Sequence, residues 1–157
     1  MELGLGADRA RAEGSPAAST LSPQLKWATP LSERLSAGLV LWGVWQAGSD
    51  GGVWSTTLLV PVTWQAADGL QLHLNAGRDF PRGEAATPRA GAALEWTATP
   101  AWSVVGERYR ESNANFWRLG GRWSPTPRLS VDLSRAAGLG GAAAPWWTLG
   151  VKLAFDR

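Results

Sequence analysis

Apolar and polar residues alternate with a period of two through most of this chain. In residues 147–153, for example, Leu149 and Val151 alternate with Gly150 and Lys152. Successive side chains of a β-strand point to opposite faces of its sheet, so the pattern predicts a strand with one apolar and one polar face. Segments rich in Gly, Pro, Asp and Asn interrupt the alternation at short intervals, as turns do. The sequence thus predicts ten strands, at 2–8, 21–29, 35–46, 54–65, 70–78, 90–99, 102–110, 117–123, 129–134 and 147–155.

The predicted connections alternate between short and long. The short ones are 30–33, 66–69, 99–101 and 124–128, and the long ones are 9–20, 47–53, 81–88 and 138–145, while 111–115 breaks the rule by being short. Outer-membrane barrels have short periplasmic turns, longer outer loops and an even number of strands. We therefore predict an all-β fold, an antiparallel up-and-down transmembrane β-barrel of about ten strands in one domain, residues 1–157. The alternative is a twelve-stranded barrel that lacks its N-terminal strand pair.

Tryptophan is unusually frequent, with 11 Trp against 1 Tyr and 3 Phe. Trp is enriched where a membrane meets water, and barrels carry an aromatic girdle at each interface. In a soluble sandwich, the alternative, Trp would cluster at strand centres. Here the Trp side chains fall near strand ends, which predicts two girdles. The predicted girdle residues are Trp27, Trp45, Trp54, Trp64, Trp96, Trp102, Trp117, Trp123 and Trp147.

Charged and other polar residues occupy the opposite phase of the strands. If the apolar face meets lipid, this face lines a wet lumen; in a soluble protein the same residues would lie on the surface. Because isolated buried charges are costly, we expect the acids and arginines of consecutive strands to form an ion-pair ladder. The ladder either stabilises the barrel wall alone or lines a selective passage. The predicted lumen residues are Lys26, His73, Asn75, Glu95, Glu107, Arg118, Arg122, Asp132 and Lys152.

Four further arginines fall in the apolar phase near the ends of strands that lead into the long loops. We expect them to meet lipopolysaccharide phosphates at the outer rim, because the guanidinium group binds phosphate in a bidentate fashion. Snorkelling side chains or ordinary loop charges are the alternatives. The predicted rim residues are Arg78, Arg108, Arg110 and Arg135.

Composition excludes several classes of partner and site. With 18% charged residues, a net charge of +2 and no run of Lys or Arg, no nucleic-acid surface is expected. The absence of Cys excludes disulfides and thiolate metal sites. The longest apolar run, residues 37–45, is too short for a transmembrane helix. The start of the chain lacks the pattern of an export signal, so we expect a trimmed or incomplete N-terminus. We expect a monomer.

No arrangement of residues predicts catalysis. The single histidine, His73, would need Ser103 within hydrogen-bond reach and Glu95 as its orienting acid to form a hydrolase triad. The Ser112-Asn113-Ala114 triplet is similar to one in outer-membrane lipid A deacylases, but Arg110 stands where those enzymes need a His. We therefore predict no enzyme activity, no cofactor and no metal.

Several short segments resemble one family of membrane barrels. They are Leu25-Lys26-Trp27, His73 to Gly77, Gly91 to Trp96, Gly106-Glu107, Val131 to Ser134 and Trp147 to Phe155. In these the chain resembles the proteobacterial outer-membrane β-barrel proteins of the phenol-degradation meta-pathway. The resemblance implies a Gram-negative outer-membrane location and uptake of small solutes, aromatic or hydrophobic ones included. It implies no catalytic residues.

The predicted function is therefore a narrow channel or transporter for small solutes. The alternatives are a non-conducting structural barrel, a lipid-modifying outer-membrane enzyme and a soluble ligand-binding β-barrel.

Overall fold

The protein is an antiparallel β-sheet of ten strands, in a computed structural model that describes residues 1–10, 18–47, 52–141 and 143–154. All ten predicted strands are confirmed, most of them extending a few residues further than the alternation indicated. The strands are β1 (Glu2–Ala10), β2 (Ala18–Pro30), β3 (Leu35–Ala47), β4 (Gly52–Ala67), β5 (Leu70–Pro81), β6 (Thr87–Thr99), β7 (Trp102–Glu111), β8 (Ala114–Thr126), β9 (Leu129–Gly138) and β10 (Trp146–Leu153).

Each strand pairs with its sequence neighbours, so the sheet is an up-and-down meander from β1 to β10. The predicted fold class is thereby confirmed. Within the residues that the structure describes, β1 pairs only with β2 and β10 only with β9, so the wall is open between these two edges. The alternative of a twelve-stranded barrel stays a prediction.

The connections differ in length at the two ends of the strands. At one end, here called the turn side, pairs of strands are joined by residues 31–34, 68–69, 100–101 and 127–128. At the other end, the loop side, the connections are 11–17, 48–51, 82–86, 112–113 and 139–145. The short 112–113 connection is a tight turn in which Ser112 and Asn113 both have positive φ, 48° and 63°. Two consecutive residues of this kind form the type I′ turn that suits the twist of a hairpin.

The two faces of the sheet differ in polarity. On the face here called outer, large apolar side chains are exposed, as at Leu5 (75%), Leu74 (46%) and Leu149 (70%). The only buried apolar residues in the described part of the chain are Val40, Ala136 and Ala137. A soluble protein of this size would bury many of its leucines and valines. The fold thus presents its apolar face outward instead of enclosing it in a core.

Glycine allows close contact between strands on the opposite, inner face. A Cβ atom at Gly77 would collide with the Leu58 carbonyl and would lie 2.9 Å from the Leu59 Cα. A Cβ at Gly120 would lie 2.8 Å from the Ser134 Cβ. Glycine at such positions lets a sheet bend tightly, as barrel walls must.

The described part of the chain contains no helix with the length and hydropathy to cross a bilayer.

Replacing Gly77 by Ala is expected to destabilise the fold by about 1–3 kcal/mol, the range for overpacking a tight contact. The control is Gly43→Ala, because a Cβ there would meet only the Ser55 carbonyl at 3.8 Å. The measurement is urea unfolding in detergent micelles, followed by tryptophan fluorescence. Equal stability of the two variants would contradict the close approach at Gly77.

Candidate solute passage

The strand register brings opposite charges together on the inner face. Glu107 of β7 lies opposite Arg118 of β8, and the Oε2 and Nη1 atoms are 3.4 Å apart. Arg122 of β8 lies opposite Asp132 of β9, with Nε donating to Oδ1 at 2.6 Å. Directly opposed residues have Cβ atoms within about 5.5 Å of each other, so register alone selects these partners.

A second set of contacts is centred on Glu95 of β6. Its Oε1 accepts a hydrogen bond from Ser103 Oγ at 2.9 Å and lies 3.6 Å from Arg122 Nη1. Its Oε2 lies 3.4 Å from His73 Nε2, and His73 Nδ1 is 2.9 Å from Thr63 Oγ1. With the Arg122–Asp132 pair, these contacts form a continuous polar network from β4 to β9, here called the turn-side network.

This geometry differs from that of a hydrolase triad. Ser103 directs its hydroxyl to Glu95, and the carboxylate stands between Ser103 and His73. A serine nucleophile needs its histidine as the direct hydrogen-bond partner. The arrangement therefore orients polar groups without activating the hydroxyl.

Arg89 of β6 organises a second cluster nearer the loop side. Its Nε donates to both oxygens of Asp79, at 2.8 Å and 3.1 Å, and its Nη2 lies 2.7 Å from Glu111 Oε1. Asp79 also accepts a 2.6 Å hydrogen bond from Thr57 Oγ1. The guanidinium carbon lies 4.9 Å from the centre of the Trp42 ring. These five residues are here called the loop-side cluster.

The contact between Arg89 and Trp42 shows that the sheet is curved. Arg89 belongs to β6 and Trp42 to β3, with β4 and β5 between them. In a flat sheet these strands would be about 14 Å apart. The inner face is therefore concave.

A cavity of about 200 Å³ lies on this concave face beside the loop-side cluster. Its lining includes Trp42, Arg89, Glu107, Tyr109 and Arg118. The Tyr109 ring lies 5.3 Å from the Arg118 guanidinium carbon. Two aromatic faces and two arginines thus border the same space.

The predicted lumen residues differ in how they meet one another. His73, Glu95, Glu107, Arg118, Arg122 and Asp132 all take part in the contacts above. Asn75 lines the cavity. Lys26 lies between Glu2 of β1 and Val40 of β3, and Lys152 lies opposite Ser130; neither lysine has an ion pair in the part of the chain that the structure describes. That these residues line a solute path stays a prediction.

The predicted rim and girdle residues lie on the outer face. All four rim arginines, Arg78, Arg108, Arg110 and Arg135, are exposed. Eight of the nine predicted girdle residues are exposed to 43–67%, namely Trp27, Trp45, Trp54, Trp64, Trp96, Trp102, Trp123 and Trp147. Trp117 is half-buried. Their contact with lipid stays a prediction.

Sequence reasoning missed the loop-side cluster. Asp79, Arg89 and Glu111 each lie one residue beyond the end of a predicted strand. All three continue the inner phase of their strands, because Asp79 is two residues beyond Gly77, Arg89 two before Gly91 and Glu111 two beyond Tyr109. Extending the alternation of each strand by one residue would have found them. No group of three potential metal ligands occurs among the described residues.

Fold and inner face together define a class of protein, the porin-like β-barrels, with an apolar outer face and a charged concave inner face. Within that class, the chain belongs to the family described as "Uncharacterised conserved protein UCP029691", whose model matches residues 1–155. The narrower resemblance to the phenol-degradation barrels is not confirmed by this match. None of the curated proteins matches the chain.

The fold is shared with solved structures, among them two porins. The structure described as "KdgM porin in complex with disordered oligogalacturonate" has a TM-score of 0.75 and 11% identity, covering 98% of this chain and 85% of that chain. The structure described as "NanC porin structure in rhombohedral crystal form" has a TM-score of 0.62 and 10% identity, covering 98% of this chain and 93% of that chain. At such identities the likeness shows the shared fold.

The two arginine pairs should differ in their contribution to stability. Arg89 and Asp79 are well shielded, with side-chain exposures of 18% and 10%, whereas Arg122 and Asp132 are at 48% and 37%. Removing one partner of a buried pair costs about 3–5 kcal/mol, and breaking an exposed pair costs about 0–1 kcal/mol. We expect Arg89→Gln to lower the free energy of unfolding much more than Arg122→Gln, measured by urea unfolding in micelles.

The double variant Arg89→Gln/Asp79→Asn should regain part of the lost stability, because the shielded Asp79 charge is no longer left unpaired, and Glu111, which also loses Arg89, is far more exposed at 40%. Equal losses for Arg89→Gln and Arg122→Gln would show that the shielding of the loop-side cluster has no energetic effect.

Proposed function

We propose that this chain forms the wall of a Gram-negative outer-membrane β-barrel whose inner face gives small polar solutes a narrow passage. The observation that carries the proposal is the contrast between the faces. Exposed leucines and valines cover the outer face, while a polar network crosses the inner face from β4 to β9. Lipid outside and water inside satisfy both faces at once.

The charges on the inner face suggest what kind of solute passes. The three arginines Arg89, Arg118 and Arg122 are in contact with five carboxylates, those of Asp79, Glu95, Glu107, Glu111 and Asp132. Each arginine is thus compensated, and the inner-face cations without an ion pair among the described residues are Lys26 and Lys152, on β2 and β10. We infer a preference for neutral or zwitterionic polar solutes.

Other solute classes fit this lining less well. The KdgM porin structure contains oligogalacturonate, an acidic oligosaccharide, which supports solute passage through this fold. The compensated arginines here give a polyanion less to bind. Hydrophobic solutes fit poorly beside so many charges, although the Trp42 and Tyr109 rings border the cavity.

A non-conducting structural barrel is the second candidate. The Arg89–Trp42 contact joins β6 to β3 across the concave face, and such a crossing obstructs a narrow lumen. In either case the proposed surroundings are outer-membrane lipid and lipopolysaccharide, and the proposed state is a monomer.

Planar-bilayer recording of the purified protein tests the passage. We expect small conductance steps with weak ion selectivity. Glu107→Gln leaves Arg118 uncompensated and should shift the reversal potential toward anion selectivity, whereas Arg118→Gln should shift it toward cation selectivity. The control is Asp68→Asn, an exposed turn residue away from the pairs, which should record as the unaltered protein does.

Wild-type protein that inserts without any steps would overturn the channel and leave the structural barrel. Strong anion selectivity in the wild type would overturn the inferred preference for neutral solutes.

A further inference from the structure

The arginines of the two faces differ in their partners. Those of the inner network all contact carboxylates, as described above. The four exposed arginines of the outer face have no carboxylate partner among the described residues; Arg110 hydrogen-bonds the Asn113 side chain at 3.3 Å, and Arg135 lies 5.8 Å from the Trp147 ring centre. The outer arginines thus hold positive charge that no acid of the described fold neutralises.

The strand register fixes the relative heights of these arginines, beginning with Arg78 and Arg110. Arg78 of β5 lies opposite Pro88 of β6. Ala90 of β6, which is two residues nearer the turn side than Pro88, lies opposite Arg110 of β7. Followed straight across the sheet, the line from Arg78 to Arg110 therefore descends by two residues toward the turn side.

The same descent continues through Arg108 to Arg135. Arg108 lies two residues below Arg110 and opposite Trp117 of β8. Leu119 of β8, which is two residues nearer the turn side than Trp117, lies opposite Arg135 of β9. From β5 to β9 the outer arginines thus descend by six residues over four strand spacings.

These offsets convert into an angle. Six residues rise about 20 Å along a strand, and four strand spacings span about 19 Å, so the line of arginines crosses the strands at roughly 45° to their perpendicular. Strands of outer-membrane barrels are tilted by about 35–45°. If the strands tilt in the direction that cancels this descent, the four arginines lie at one height in the membrane.

The turn-side tryptophans indicate the direction of the strand tilt independently of the arginines. Trp64 of β4 lies opposite Leu72 of β5, and Trp96 of β6 lies opposite Leu70, two residues nearer the turn side. Trp102, which begins β7, lies lower still. This series descends in the same direction as the arginines. Since Trp side chains collect at the interface, the two lines mark two roughly parallel levels in the membrane.

The arginines also share their level with loop-side tryptophans. Trp117 lies directly opposite Arg108, and Trp147 directly opposite Arg135. Trp and Arg therefore occur in one band of the outer face. Such a band, apolar rings beside cationic groups, suits the boundary between acyl chains and charged headgroups.

We propose that Arg78, Arg108, Arg110 and Arg135 bind the phosphate groups of lipid A at the outer-leaflet headgroup level. The inference rests on the proposed outer-membrane placement, in which the loop side is the outer side. Arginines on alternate strands are about 10 Å apart. Their planar groups bind phosphate in a bidentate fashion, and neighbouring arginines can engage the phosphates at the two ends of one lipid A disaccharide.

The test compares three double variants in binding of purified lipopolysaccharide, with the full-length protein in detergent micelles and tryptophan fluorescence as the readout. Arg108→Gln/Arg110→Gln should bind about tenfold more weakly than the wild type, because charge-assisted contacts to phosphate are lost. The control Arg34→Gln/Arg128→Gln removes the same charge from exposed turn-side residues and should leave affinity unchanged. Arg108→Lys/Arg110→Lys should give an intermediate affinity if the guanidinium fork matters.

The lipid source is tested with dephosphorylated lipopolysaccharide and with phosphatidylglycerol vesicles, both of which should bind more weakly to the wild type. Unchanged affinity in Arg108→Gln/Arg110→Gln, or equal affinity for phosphatidylglycerol, would overturn the lipid A site. Bilayer conductance of the same variant separates the two proposals. Retained conductance with lost lipopolysaccharide binding supports both, and lost binding in a protein that never conducts supports the lipid site alone.

Discussion

Interstrand hydrogen bonding of the backbone is the constraint on which the rest of this structure depends. A chain in hydrocarbon must satisfy every N–H and C=O group internally, and a meander of long antiparallel strands does so along all its internal seams. Once the backbone is fixed in this way, side chains can only alternate between two faces. In the proposed membrane placement, the outer face then has to suit lipid and the inner face water. Exposed Leu5 and Leu149 outside, and paired Glu107 and Arg118 inside, follow from that single requirement.

Register extends the same constraint to electrostatics. In a meander each strand meets only its sequence neighbours, so in a flat sheet a charge would be compensated directly only from the strand before or after it. Arg122 contacts Asp132 on the following strand in this way, but it also reaches Glu95 two strands back, because the inner face is concave. The curvature that permits the longer contact depends on glycines such as Gly77, where no side chain fits. Backbone shape and charge pairing are thus coupled.

Sequence alone predicted the class of fold, all ten strands and the pairing of acids with arginines on consecutive strands, as in Glu107–Arg118 and Arg122–Asp132, because period-two alternation is a strong local signal over strands of 8 to 16 residues. It failed at strand ends. The Gly-, Pro- and Asp-rich composition around Asp79 and Arg89 ended the predicted strands early, although inner-face and outer-face positions continue to alternate through these residues. The Arg89–Trp42 contact was out of reach for another reason. It joins strands three apart, and only the curvature of the sheet brings them together.

The loop-side cluster and the turn-side network also differ in how well they are shielded, so the two ends of the concave face are not alike. Arg89 and Asp79 are shielded by Trp42, Thr57 and Glu111, whereas Arg122 and Asp132 remain far more accessible. In the proposed passage, a solute entering from the turn side therefore meets the more exposed ion pairs first and the more shielded ones last. Because Coulombic interactions strengthen as water is excluded, the charges of the loop-side cluster act more strongly on such a solute than those of the turn-side network. Arg89, held by two carboxylates and an aromatic ring, is the most shielded of the three paired arginines of the inner face.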